Sequence, residues 1–277
     1  MPWHAKLHLH YSHDGHTTGA LDRHEGPLRV LQRLYPEGPA ICHHVLVHPP
    51  GGIVGGDVLA LDARLERHCH ALITTPGATR FYRSAGDTAV QQVQARLADG
   101  ARLEWLPMET IAYSACQAHN SLRFELAPGA EMIGWDLLAL GLPAAGQAFE
   151  RGQFLQELEL AGAWLERGRI DAADTALLDS PLGWAGRRVL ATMWFAAGSA
   201  LLPTRRDHLL DVARECVAAH GELASAAGAT AAHERMVVLR ALAHRVEPAM
   251  QLFRQVWAAW RAAAWQLDAT PPRLWRT

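Results

Sequence analysis

The strongest constraint in this sequence is a period of two. Leu7, Leu9 and Tyr11 alternate with Lys6, His8 and His10, and Leu59, Leu61, Ala63 and Leu65 alternate with Asp62, Arg64 and Glu66. Neighbouring side chains on an extended chain point to opposite faces, so this spacing predicts half-buried strands through about residue 170. Turn punctuation separates them at Asp14-Gly15, Pro49-Pro50-Gly51-Gly52, Pro76-Gly77, Asp99-Gly100, Pro128-Gly129 and Ala161-Gly162. A loose echo links Ala71 to Pro76, Ala101 to Pro107 and Ala130 to Trp135, whose starts lie 30 and then 29 residues apart. Strand pairs that each leave a face for the next pair to cover would produce such an echo, as in sandwich or solenoid-like β folds.

Beyond about residue 185 the period lengthens. Leu209, Leu210, Val212, Ala213, Cys216 and Val217 recur at helical spacing after a cap region at Thr204 to Asp207. A second helix is expected from about Glu247 to Gln266, with Pro248 in its first turn and Phe253, Val256, Trp257 and Trp260 as its apolar stripe. Between them, Glu234 to Arg245 fits either strand or helix, and its Ala-rich composition pulls towards helix. The expected architecture is mainly β, with stacked or sandwich-like sheets and a few α-helices toward the C-terminus. We expect one domain over residues 1–277, β-rich to about 185 and mixed α/β from about 186 to 277.

A chain of 277 residues buries a core without disulfide or metal staples. Its 26 basic residues nearly balance 28 acidic ones for a net charge of -2, so no strong field draws nucleic acid or anionic lipid. Cys42, Cys69, Cys116 and Cys216 lie far apart with no CxxC pair, which fits a reducing compartment. No apolar leader precedes Tyr11, and the longest uncharged stretch, Val189 to Thr204, falls short of the roughly 20 residues a membrane span needs. A cytoplasmic protein without a membrane segment is expected. Ten Trp against six Phe and four Tyr suggest flat side chains at sheet surfaces or an interface, and hence a binding partner.

The densest local motif is His48-Pro-Pro-Gly-Gly-Ile-Val-Gly-Gly-Asp57. No Lys-Ser/Thr completes a phosphate loop and a strand rather than a helix follows, so the glycines read as a tight crossover and Asp57 stays unexplained. Cys116 with His119, or Ser84 with a distant His, could be nominated for nucleophilic catalysis, but no surrounding motif supports either. Histidines 4, 8, 10, 13 and 16 could ligate Ni(II) or Zn(II), since His8 and His10 share a strand face; solvated strand-edge residues are the preferred reading.

Taken in order, several segments resemble the UreD (UreH) family of urease accessory proteins. They are Gly26 to Val30, Leu34 to Glu37, His48 to Asp57, Thr74 to Ser84, Leu103 to Pro107, Trp135-Asp136, Leu140 to Pro143 and Pro272 to Thr277. The match covers nearly the whole chain, is densest from 26 to 150 and thinnest from about 175 to 245. Departures are Met108 where Gln is common, Leu142 where Arg is common, and the histidine-rich start. The resemblance implies a largely β fold, no enzymatic activity, and a complex with urease accessory proteins F and G (UreF and UreG) on apo-urease, with the GTPase supplied by UreG. It also implies a water-filled route for nickel.

Nickel in transit needs ligands good enough to strip water yet poor enough to release it, which suits isolated carboxylates better than a His/Cys cage. Asp57, Asp136 and Glu166 match acidic positions of the family pattern and are the expected passage residues. The competing reading has Asp57 and Asp136 capping turns or pairing with Arg80 or Arg83, and Glu166 pairing with Arg167 or Arg169. No tightly bound cofactor is expected. Trp257, Trp260, Trp265 and Trp275 exceed what one helix stripe must bury and are the expected contact with UreF. Two other classes compete: a metal-dependent hydrolase using the N-terminal histidines, and a structural adaptor with no nickel route.

Overall fold

Strand β1 (His4–His13) buries Ala5, Leu7, Leu9 and Tyr11 and exposes His4, Lys6, His8 and His10, as its spacing requires. It is followed by β2 (Thr18–Glu25), the short β3 (Arg29–Val30) and β4 (Ile41–Val47). From β4 the chain winds between two sheets through β5 (Val58–Leu65), β6 (His70–Thr74), β7 (Thr79–Phe81), β8 (Ala89–Leu97), β9 (Arg102–Trp105), β10 (Thr110–Ala112), β11 (Cys116–Leu126), β12 (Glu131–Leu140) and β13 (Gly152–Leu160). Then come β14 (Trp164–Asp171), α1 (Thr175–Asp179), β15 (Val189–Ala197), α2 (Pro203–Ala219), β16 (Ala227–His233), β17 (Met236–Ala243) and α3 (Val246–Trp260). The computed structural model describes residues 2–276, so Thr277, the last residue of the terminal motif, lies outside the described residues.

The outer sheet has seven strands in the order β14-β13-β11-β8-β5-β1-β2. The central sheet has ten, eight of them in the order β16-β17-β15-β12-β9-β6-β4-β3 with β7 and β10 beside that path. Within each sheet the winding strands pair in parallel, because each crossover carries the chain to the opposite sheet before it returns. Ile41 faces His70, His70 faces Arg102 and Arg102 faces Glu131, steps of 29, 32 and 29 residues. The sequence echo is therefore the trace of a solenoid-like coil, with β6, β9 and β12 as adjacent turns.

One core fills the gap between the sheets, with Leu7, Leu61, Phe124, Phe154 and Trp194 among its members. A second lies between the central sheet and the helices, joining Trp135 and Phe195 to Leu209, Phe253, Val256 and Trp257. The segment pulled towards helix by composition is instead strand β17. It pairs with β15 and β16, and its alternate residues Met236 and Val238 enter the first core while Val237 and Leu239 enter the second. Burial on both faces hides the period of two and leaves an apolar run that periodicity cannot assign. Helix α2 starts at Pro203, with Leu202 at its N-cap and no side-chain cap, so the polar residues Thr204 to Asp207 form its first turn. Helix α3 spans the expected stripe and gives way to a π-helical turn over Arg261–Trp265.

Candidate functional site: a polar row between the sheets

The inter-sheet core is largely apolar; one exception is Tyr11, whose hydroxyl hydrogen-bonds His44 Nδ1 at 2.7 Å, and another is a row of polar side chains. Strand β11 turns Ala118, Leu122 and Phe124 inward, and Asn120 sits among them; β13 turns Phe154 and Leu158 inward, and Gln156 sits between them. Parallel pairing in register sets Gln91 of β8, Asn120 and Gln156 side by side. From the central sheet, Asp136 of β12 faces them, with Thr192 of β15 as its cross-strand neighbour and Arg240 of β17 next in line. Gln91 Nε2 donates to Asn120 Oδ1 at 3.0 Å, Asn120 Nδ2 donates to Asp136 Oδ1 at 3.1 Å, and Gln156 Nε2 donates to Asp136 Oδ2 at 2.7 Å.

The row has two ends. At the sheet edge, Glu166 of β14 pairs with Arg240 rather than with Arg167 or Arg169. At the other end Gln91 lines a cavity of about 300 Å³, together with Gln92, His48, Thr75, Arg80 and Trp105. His48 Nε2 and Trp105 Nε1 are buried there with no hydrogen-bond partner in the protein. Burial holds the His48 imidazole below its ordinary proton affinity, partly offset by the Asp57 carboxylate.

Asp136 carries the largest electrostatic tension in the row. Burial pushes its pKa up to about 6, outweighing the two amide hydrogen bonds that favour the anion. Among the described residues no cation pairs with it. Because the folded chain holds this proton more tightly than the unfolded chain, Asp136 leaves stability unchanged well below pH 4. It subtracts from stability progressively as the pH rises through 6. Asp136→Asn is accordingly expected to exceed the parent in stability by about 1–3 kcal/mol near neutral pH, with the difference fading in acid. Urea unfolding across that range checks this, and a difference that grows toward acid would contradict it.

Asp57 lies off the row. It is 1% exposed, and its carboxylate accepts from the backbone N–H of Trp3 at 2.6 Å and of Val54 at 3.0 Å. It thus closes the glycine-rich crossover and ties the chain's start to it, and neither Arg80 nor Arg83 pairs with it. Asp136 likewise pairs with neither arginine.

The four C-terminal tryptophans point inward. Trp257 and Trp260 are 0% exposed, Trp265 is 6% and Trp275 is 5%, so these rings offer little side-chain surface to a partner. Each indole N–H instead has an acceptor inside the protein: Glu104 for Trp257, the Leu209 carbonyl for Trp260, Glu131 for Trp265 and Thr74 for Trp275. Trp257, Trp265 and Trp275 pin the helical layer to the central sheet, and Trp260 pins α3 to α2. Counting them against one helix stripe overlooked that the π-helical turn and the tail pack on the same face.

Beneath that layer lies a buried ionic cluster that sequence reasoning missed. Arg261, 0% exposed, reaches Glu37 at 2.7 Å and Glu104 at 3.7 Å. His43 hydrogen-bonds Glu37 at 2.8 Å and His70 hydrogen-bonds Glu104 at 2.7 Å. Burial opposes ionisation of both carboxyls, yet the imidazoles and the guanidinium outweigh it and hold both below their ordinary range.

The remaining nominations fall apart. Cys116 and His119 both sit on strand β11, and three residues of strand put them on opposite faces. Burial pushes the Cys116 thiol up to about 12, and Ser84 Oγ donates to the Asp87 carbonyl. His4, His8 and His10 are exposed along β1, with His10 bonded to Glu66, and His13 and His16 follow at its end. Among the described residues no group of three His, Cys, Asp or Glu side chains could hold a metal ion. Nor is any helix there long and apolar enough to cross a membrane.

A family model described as UreD urease accessory protein matches residues 4–276. The chain belongs to the UreD family. Urease accessory protein UreD of Leptothrix cholodnii is 66% identical, that of Variovorax paradoxus 60% and that of Methylibium petroleiphilum 57%, each match covering 100% of both chains. Membership makes this UreD-family chain a non-catalytic maturation factor rather than an enzyme. The row, not a catalytic cleft, is the feature its function has to explain.

Proposed function

We propose that this chain is a urease maturation scaffold that, with UreF and UreG, binds apo-urease in the cytosol and helps deliver nickel to its active site along the inter-sheet row. The observation that carries this reading is Asp136, a carboxylate kept in the core without a cation at a cost in stability. An apolar residue there would be cheaper, and carboxylates retained against stability mark sites shaped by function. Its neighbours suit a passing cation, because Asn120 and Gln156 each carry an acceptor oxygen beside the donor amide. Rotating either amide turns the lining from donors to acceptors. The cavity beyond Gln91 is roomy enough for water, and the unpartnered His48 and Trp105 nitrogens give that water polar anchors. Glu166 would serve at the far edge, exchanging Arg240 for the ion, while Asp57 shapes the crossover beside the cavity. Four free cysteines agree with a reducing compartment.

Co-expression with urease subunits, UreF and UreG tests this. The parent should co-purify with them and yield active urease. Asp136→Asn and Glu166→Gln should co-purify as well but leave urease severalfold poorer in nickel. Parental nickel content in both would reduce the chain to an adaptor with no route.

A further inference from the structure

Four crossovers from the central to the outer sheet lie at one end of the coil, and backbone hydrogen bonds stitch them together. Ile53 N–H donates to the Arg80 carbonyl and Tyr82 N–H to the Ile53 carbonyl; Tyr113 donates to Phe81, Ser84 to Ala115, and Ala115 to Arg151. The glycine-rich crossover makes this fit possible, since a Cβ on Gly52 would stand 2.1 Å from the Tyr82 ring and one on Gly55 2.2 Å from Ser84 Oγ. The result is an open groove of about 550 Å³ lined by Val54, Tyr82, Arg83, Tyr113, Glu150 and Arg151 among others. The two tyrosine rings lie 5.0 Å apart, and Val54 is 44% exposed.

The groove also carries positive charge on its rim. Many surface arginines are neutralised, Arg64 and Arg96 by Asp62, Arg67 by Asp99, and Arg123 by Glu125 and Glu159, while others such as Arg23 and Arg169 stand alone on exposed strand positions with no aromatic pair beside them. Among the described residues Arg83 and Arg151 pair with no carboxylate, although Glu150 lines the same groove and Asp87 stands across the turn from Gly56. Arg80, two residues before Tyr82, lines the inter-sheet cavity and is likewise unpaired. Guanidinium forks flanking an aromatic pair match a peptide carrying carboxylates around an apolar side chain.

We propose that this groove is a docking site for a short acidic segment of a partner protein, with its carboxylates on Arg83 and Arg151 and an apolar side chain against Tyr82, Tyr113 and Val54. The apolar floor of Tyr82, Tyr113 and Val54 suits a peptide side chain better than a polyphosphate strand or an anionic membrane surface. The proposal stands whether or not nickel crosses the inter-sheet row.

Fluorescence anisotropy of the full chain with a fluorescein-labelled hexapeptide of glutamate and leucine tests it. Saturable binding is expected, weakening with salt, and reduced at least about tenfold in Arg83→Glu/Arg151→Glu. An Arg23→Glu/Arg169→Glu control, changing the charge equally on exposed strand positions away from the groove, should bind as the parent does, and thermal unfolding should show all three folded. Absence of saturable binding, equal loss in the control, or tighter binding of a single-stranded oligonucleotide or of anionic vesicles would each overturn the proposal.

Discussion

Arg261→Ala should lower the free energy of unfolding by about 3–5 kcal/mol, the largest single effect expected in this chain. The guanidinium is fully buried between Glu37 and Glu104, over the Trp257 ring at 5.1 Å. Truncating it strands two carboxylates in a dry interior, and His43 and His70 can offset only part of that cost. Arg261 also begins the π-helical turn that seats Trp265, so its loss loosens the attachment of the whole helical layer. The cluster itself is not predicted to be a net source of stability. Combining Arg261→Met with Glu37→Gln and Glu104→Gln should recover most of the loss, because a buried ion cluster and an apolar replacement of similar volume are often nearly equal in energy. Urea unfolding of the single and triple variants decides the matter. A loss under about 1 kcal/mol in Arg261→Ala, the scale of an exposed pair, would contradict the account.

The sequence made the strands legible where one face is wet. β1 and β5 could be read residue by residue because histidines, arginines and acids alternate with the core. β17 could not, since both its faces are dry, and composition then pointed the wrong way. Asp136 was visible because it interrupts an apolar run. Asn120 and Gln156 left an equally clear signal, each being the polar member of an inward-facing alternation, but the row they form emerges only when register brings three strands together. Glu104 stood in a segment already singled out between Leu103 and Trp105, and its partner Arg261 lies in the Ala- and Trp-rich end of the second helix. Arg261 meets Glu37 across 224 residues of sequence, a pairing no local pattern encodes. The tryptophans misled for a related reason, since the acceptors that hold Trp265 and Trp275 inside belong to strands more than a hundred residues earlier.

Replacing the middle of the row by apolar side chains of similar size should separate stability from function. In Asp136→Leu/Asn120→Leu/Gln156→Met every hydrogen bond to Asp136 disappears together with the groups that need it, so no polar atom is stranded there except the Gln91 amide, which borders the cavity. Such a replacement is expected to be neutral or stabilising by about 1–4 kcal/mol. The outer surface, the crossover groove and the helical layer are untouched, so assembly with UreF, UreG and apo-urease should proceed. The interior would then be a continuous apolar barrier, and a hydrated divalent cation meets a barrier of many kcal/mol in such a medium. The decisive measurement is the nickel content per urease active site in urease matured with this triple variant, at matched amounts of co-purified complex. The account predicts a stable complex with urease almost devoid of nickel; a parental nickel content in that complex would contradict it.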